Sequence, residues 1–277
     1  MSDTTYTPAE IQELTAFAER LADAAGKAIL PYFRGEGSLA DNKAQTGFDP
    51  VTIADKAAER AIREIIDAER PDDAIMGEEY GEKSGTSGWT WYLDPIDGTR
   101  AFISGLPVWT TLIGLVRDNK SIVGVIDQSY LKERYVGTPS GSYMIDSEGE
   151  KRNLKTRPCK KLTDAILATT DYFIFTHPER GAFEHLRATA KLTRYGLDAY
   201  AYARVAAGTM DMVAEAGLQP YDVAALIPVI ENAGGVVTDW CGRPATLGGQ
   251  IVAAANQEIL DEALISLRRS ARAFDCG

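Results

Sequence analysis

The segment Asp94-Pro95-Ile96-Asp97-Gly98-Thr99 sets two carboxylates three residues apart around a proline and follows them with glycine and threonine. That combination suits a metal cation and a phosphate. The aromatic and β-branched run Trp89-Thr90-Trp91-Tyr92-Leu93 predicts a buried strand, with Asp94 emerging at its C-terminal end. Groups gathered at strand ends tend to form sites. Pro95 fixes its own φ and holds Asp94 extended, Gly98 lets a ligand approach the backbone, and Thr99 can cap a short helix through Phe102. Exposed N–H groups at such a helix start suit a phosphate. Asp-Pro and Asp-Gly also punctuate ordinary turns, so the hexapeptide alone leaves a plain turn open.

Further acids fall where a metal site would want them. Asp55 lies in the first turn of a predicted amphipathic helix carrying Ala58, Ile62, Ile65 and Ile66, where an Asp also suits the helix dipole. Ala74-Ile75-Met76-Gly77 predicts a short strand ending in Glu78 and Glu79, the second of which reads as a solvated loop charge. Pro220-Tyr221-Asp222 opens an apolar helix, and a helix cap accounts for Asp222 equally well when it is taken alone. Carboxylates converging in one cleft repel each other and take up protons unless cations sit among them. Hard oxygen donors select Mg²⁺ or Mn²⁺ over zinc. Two such ions about 4 Å apart can activate water on one side of a phosphate and stabilise the leaving oxygen on the other.

On these residues the chain resembles the inositol monophosphatase family of magnesium-dependent phosphatases. One family motif is similar to Gly77-Glu78-Glu79 with Asp94-Pro95-Ile96-Asp97-Gly98-Thr99, and another to Tyr221-Asp222-Val223-Ala224-Ala225, where the family usually has Trp before the Asp. The resemblance implies that Glu78, Asp94 and the Ile96 carbonyl hold one Mg²⁺, and that Asp94, Asp97 and Asp222 hold a second. It implies two or three ions per site with Mn²⁺ as a substitute, Asp55 and Thr99 orienting the attacking water, and Gly98 and Thr99 contacting the substrate. It also implies an α+β fold, the layered α-β-α-β-α sandwich of this superfamily, assembled as a homodimer.

Arg100-Ala101-Phe102-Ile103-Ser104-Gly105-Leu106-Pro107 departs from the inositol-phosphate enzymes and is similar to their histidinol-phosphate phosphatase branch, as is Tyr195-Gly196-Leu197-Asp198-Ala199-Tyr200-Ala201-Tyr202. Asp198 and Glu215 would place negative charge away from the metals, suiting a substrate with an ammonium and an imidazole. A helix cap for Asp198 and a solvent-facing acid for Glu215 stay open as plainer readings. The expected activity is hydrolysis of a small phosphorylated metabolite, histidinol phosphate of histidine biosynthesis. Inositol-1-phosphate or a broad range of sugar and nucleotide phosphates is the alternative. A non-catalytic regulatory member is a third, and the intact set of acids counts against it.

With 277 residues and 45% hydrophobic content the chain can bury a large core. A net charge of −11 speaks against nucleic acid or an anionic membrane as a partner. Cys159, Cys241 and Cys276 are far apart and lack CxxC spacing, so neither a disulfide framework nor a zinc site is expected. Reduced cytoplasm fits, and the first residues lack the features of a signal peptide. His177 and His185, the only histidines, sit in a polar segment and read as surface. A long first helix follows Thr7-Pro8 along Ile11, Leu14, Phe17, Leu21, Ala25, Ala28 and Tyr32. Strands then alternate with helices, Asp118-Asn119 marks a hairpin, and Pro228 is expected to kink the Asp222 helix or shift its start. The polar stretch Asp146–Lys161 divides the chain into an expected metal-binding α+β domain over residues 1–150 and an α/β domain over 151–277 that completes the site.

Overall fold

In the computed structural model, which describes residues 6–35, 41–42, 50–245 and 248–271, the elements run as follows. The first half holds α1 (Pro8–Ile29), the short strands β1 (Asp41–Asn42) and β2 (Pro50–Val51), α2 (Ile53–Glu69), β3 (Ala74–Gly77), β4 (Gly81–Lys83), β5 (Trp89–Asp97), α3 (Thr99–Ile103), β6 (Thr110–Arg117), β7 (Lys120–Gln128), β8 (Glu133–Thr138), β9 (Gly141–Ile145) and β10 (Lys151–Asn153). Then come β11 (Ile166–Thr169), α4 (His177–Thr189), β12 (Leu192–Tyr195), α5 (Asp198–Ala206), β13 (Met212–Leu218), α6 (Pro220–Val223), α7 (Leu226–Glu231), β14 (Val236–Asp239), β15 (Gly249–Ala254) and α8 (Gln257–Leu267).

Besides the short pair β1-β2, two larger sheets form, one ordered β10-β9-β8-β7-β6-β5-β3-β4 and the other β12-β11-β13-β15-β14. Their period-two alternation sorts the side chains into layers. Ile113, Leu115, Val123 and Val125 pack under α1 and α2, while Leu112 and Ile126 face the other way onto α5 and α7. From the second sheet Val213, Ile251 and Ala253 meet those same inner helices, and Met212, Ala214, Val252 and Ala254 face α4 and α8. The stacking is therefore α-β-α-β-α, an α+β fold as expected.

Gly114, Gly124 and Gly137 stand beside one another on β6, β7 and β8. A Cβ there would come within 2.6 Å of Ala224 Cβ, 2.0 Å of Ala225 O and 2.2 Å of the Pro228 carbonyl carbon. Their lack of side chains lets the α6–α7 segment lie directly on the sheet, which brings Asp222 close to β5 and β6.

Several expectations are corrected. Helix α1 stops at Ile29 rather than continuing to Tyr32, because Pro31 has no N–H to carry the next helical hydrogen bond, and the Tyr32 N–H instead donates to Ile29 O at 3.0 Å. Strand β5 does not end at Asp94 but continues through the motif to Asp97. As Pro228 led one to expect, the Asp222 helix is in two pieces, broken near Ala224-Ala225, and Pro228 sits in the first turn of α7, where its missing N–H costs nothing. Strand β10 lies inside the polar stretch Asp146–Lys161 at the expected domain boundary. Cys159 is free and buried. The hairpin turn holds: Asp118 and Asn119 have φ of 49° and 59°, the paired left-handed geometry of a tight turn. Both histidines are exposed. Among the described residues no helix is long and apolar enough to cross a membrane.

Candidate active site

In a regular strand Asp94 and Asp97 would point to opposite faces. They do not, because the β5–β6 register runs from Asp94↔Leu112 to Asp97↔Thr110, three steps on one strand against two on the other. The extra residue is a bulge, which re-aims side chains and tolerates Pro95 without a ladder N–H. Thr111 fixes it by donating its hydroxyl to the Pro95 carbonyl at 2.7 Å. Beyond the bulge Gly98 turns left-handed with φ 86°, and a Cβ there would sit 3.1 Å from the Asp198 carboxylate, so glycine is required twice over. Thr99 opens α3 and donates its hydroxyl to the Ile96 carbonyl at 3.1 Å.

Parallel pairing of β3 with β5 sets Gly77 opposite Leu93, so Glu78, just past the end of β3, lies beside Asp94, which is still within β5. The Glu78 N–H donates to Leu93 O at 3.1 Å. Asp222 arrives from the α6–α7 segment, its carboxylate held by the Gln219 N–H at 2.7 Å. Asp55 is buried in the first turn of α2, where its Oδ2 accepts the Thr52 N–H at 2.8 Å and the Thr52 hydroxyl at 2.5 Å. Both Asp55 and Asp222 thus serve as caps as well as standing where the motif puts them. Strand β2, which leads into Asp55, packs against α3, which Thr99 begins.

Asp198 does not cap its helix. It is the first residue of α5 with a left-handed φ of 46°, and its side chain lies over Gly98 while the next N–H, of Ala199, donates to Asp97 Oδ2 at 2.6 Å. Non-glycine residues rarely take this conformation, so the surrounding contacts hold it there. Glu215 is not a solvent-facing acid: it is 3% exposed and accepts the Thr170 N–H at 2.7 Å and the Tyr202 hydroxyl at 3.0 Å. Thr170 also bonds Asp198, and Arg100 weighs on Asp198 from outside while pairing Asp171 at 3.5 Å. Thr52, Thr170, Tyr202 and Gln219 were not singled out by sequence, since each acts only through a contact that folding creates.

The electrostatics define one acidic cleft. Burial, then repulsion from Glu78, Asp97 and Asp222, pushes Asp94 well above the usual carboxylate range. Burial and then Asp198 do the same to Asp97, against the pull of the Ala199 N–H. Asp222 is raised to about 7 by burial, with Glu78 and Glu215 adding to it. Asp198 reaches about 7 by burial and Glu215. Glu215 is raised by burial despite Thr170 and Tyr202.

The donors fit a hard cation. Asp94 is 3% exposed, and its Oδ1 is buried without a hydrogen-bond partner among the described residues. A cation would satisfy that oxygen and relieve the repulsion. Among the described residues no three His, Cys, Asp or Glu side chains close into a ready metal cage. A groove of about 770 Å³ between α1 and β8–β10 contains none of these carboxylates. Chemistry here follows the charge cluster, not the volume.

A layered sandwich with an acidic cleft at a strand bulge defines a phosphatase scaffold, and comparison with known proteins identifies which. The family model for the inositol monophosphatase family matches residues 10–273. The chain is 41% identical over 269 residues to the bifunctional phosphatase IMPL2, chloroplastic, of Arabidopsis thaliana, covering 93% of this chain and 76% of that one. It is 34% identical over 240 residues to the histidinol-phosphatase of Chlorobaculum parvum, covering 86% and 90%. An inositol monophosphatase structure from Zymomonas mobilis superposes with a TM-score of 0.81 at 37% identity, covering 93% and 98%. The chain belongs to the inositol monophosphatase family, whose members are generally Mg²⁺-dependent.

Proposed function

We propose that this protein is a Mg²⁺-dependent phosphomonoesterase that converts histidinol phosphate and water to histidinol and inorganic phosphate. The observation that supports this substrate is the pair Asp198, half-buried, and Glu215, fully buried, two acids that share Thr170 and are not needed as ion ligands. An ammonium and an imidazole would find complementary charge there; a neutral polyol would leave both acids without it. The histidinol-phosphatase relatives agree with that choice.

Glu78, Asp94 and the Ile96 carbonyl would hold one ion, and Asp94, Asp97 and Asp222 a second. Mg²⁺ bound there supplies charge neutralisation for the phosphate and makes a water more acidic. Gly98 and Thr99 meet the phosphate at the start of α3. Asp55, fixed by Thr52, receives the proton of the attacking water, and Thr99, anchored on the Ile96 carbonyl, orients it. Water oxygen bonds to phosphorus as the phosphorus–oxygen ester bond breaks, the leaving oxygen takes a proton from solvent to depart as the alcohol, and Asp55 returns the proton it received to solvent. No phosphorylated side chain forms.

The structural likeness to an inositol monophosphatase favours a second reading, a neutral polyol phosphate as substrate. Glu215→Gln separates the two. Loss of a hydrogen bond to a charged group is worth about 1.5–3 kcal/mol, so the Michaelis constant for histidinol phosphate should rise ~10–100-fold. A small neutral phosphate ester should be barely affected. An equal effect on both substrates would return the protein to the polyol reading.

A further inference from the structure

Glu59 lies one helical turn beyond Asp55 on α2, on the same face, and is fully buried. No step of the proposed hydrolysis uses it. Its carboxylate reaches out of the helix to the turn between β3 and β4. Oε2 accepts the Glu79 N–H at 2.7 Å, and Oε1 accepts the Tyr80 N–H at 3.2 Å. Arg63, a further turn along, donates Nε to Oε1 at 2.7 Å and a second guanidinium nitrogen to the Gly81 carbonyl.

The two amides that follow Glu78, and the carbonyl of Gly81, are therefore held by α2. The Glu78 N–H itself is held from the other side by Leu93 of β5. Gly77 makes the approach possible: a Cβ there would stand 2.0 Å from Glu59 Oε1 and 2.5 Å from its Cδ. Its backbone is not left-handed, so glycine is required by the close approach alone. A buried acid that merely balanced Arg63 would need neither the two turn amides nor a glycine beneath it.

We infer that Glu59 is a positioning residue for Glu78: with Gly77 and Arg63 it clamps the β3–β4 turn and ties the ligand on that turn to the helix carrying Asp55. The inference rests on the reading of Glu78 as a metal ligand. Partners that orient a ligand in this way typically matter ~10–100-fold in metal affinity.

The test is calorimetric titration of metal-free protein with Mg²⁺ for wild type, Glu59→Gln, Gly77→Ala and Glu78→Gln, with hydrogen exchange at the Glu79 and Tyr80 amides. Glu59→Gln is expected to weaken Mg²⁺ binding ~10–100-fold and speed exchange at those two amides, with turnover recovering at saturating Mg²⁺. Gly77→Ala keeps every charge but forces the carboxylate off the turn; it is expected to show the same loss and serves if Glu59→Gln folds poorly. Wild-type Mg²⁺ affinity in either folded variant, beside a weakened Glu78→Gln, would overturn the clamp. Wild-type affinity in Glu78→Gln would instead remove the ligand assignment, and the inference with it.

Discussion

Replacing Asp94 by asparagine is expected to move stability and activity in opposite directions. Asp94 is 3% exposed and faces the repulsion of Glu78, Asp97 and Asp222, which with burial holds its carboxyl well above the usual range. Removing the charge therefore relieves the metal-free fold and raises its Tm, by ~2–4 °C for each kcal/mol of relief in a chain of this size. The same change removes the ligand proposed to touch both ions. Metal assistance contributes several kcal/mol to such a reaction, so turnover should fall by more than ~10³-fold and Mg²⁺ should no longer raise Tm. Differential scanning calorimetry with and without Mg²⁺, beside a phosphate-release assay, reads both signs. A variant that turns over near the wild-type rate in Mg²⁺, or a metal-free variant less stable than wild type, would refute the reasoning.

Thr99→Ala is expected to lower kcat by ~10²–10⁴-fold while changing Mg²⁺ affinity far less; equal losses in kinetics and metal titration would make Thr99 only a brace for the Ile96 carbonyl. A pH series tests the cleft as a whole. Asp198 and Asp222 sit near 7, above their unfolded values, so the metal-free fold binds protons that the unfolded chain has lost. Its stability from these groups is full below the unfolded carboxylate range of ~4, falls as pH rises through about 7, and is flat above. Saturating Mg²⁺ should flatten that slope, and chemical unfolding between pH ~5 and ~8 measures it. Metal-free stability that climbs with pH across the window would contradict the charge arrangement.

The hexapeptide around Asp94 was legible because its residue types are unusual together, and the aromatic run before it marked β5. What the sequence did not carry was the bulge. Alternation over Trp89–Asp97 gives no sign that an extra residue puts Asp94 and Asp97 on one side, since the register depends on β6 and on Thr111. Glu59 was hidden for a related reason: an acid on the apolar face of α2 is visible at i+4 from Asp55, but its partners in the β3–β4 turn are not. Strands β4, β10, β12 and β14 are short, and tertiary pairing rather than local propensity defines them. Asp198 and Glu215 each had a plain local reading as a cap or a surface acid. Burial beside Thr170 sets those aside.

The central claim is the substrate, and one comparison tests it most directly: kcat/KM for histidinol phosphate against inositol-1-phosphate, measured by phosphate release in Mg²⁺ with the wild-type protein. A cleft with Glu215 buried and Asp198 half-buried beside the proposed metal ligands predicts a clear preference for the cationic histidinol phosphate. Equal efficiency on the two substrates, or a preference for inositol-1-phosphate, would contradict it.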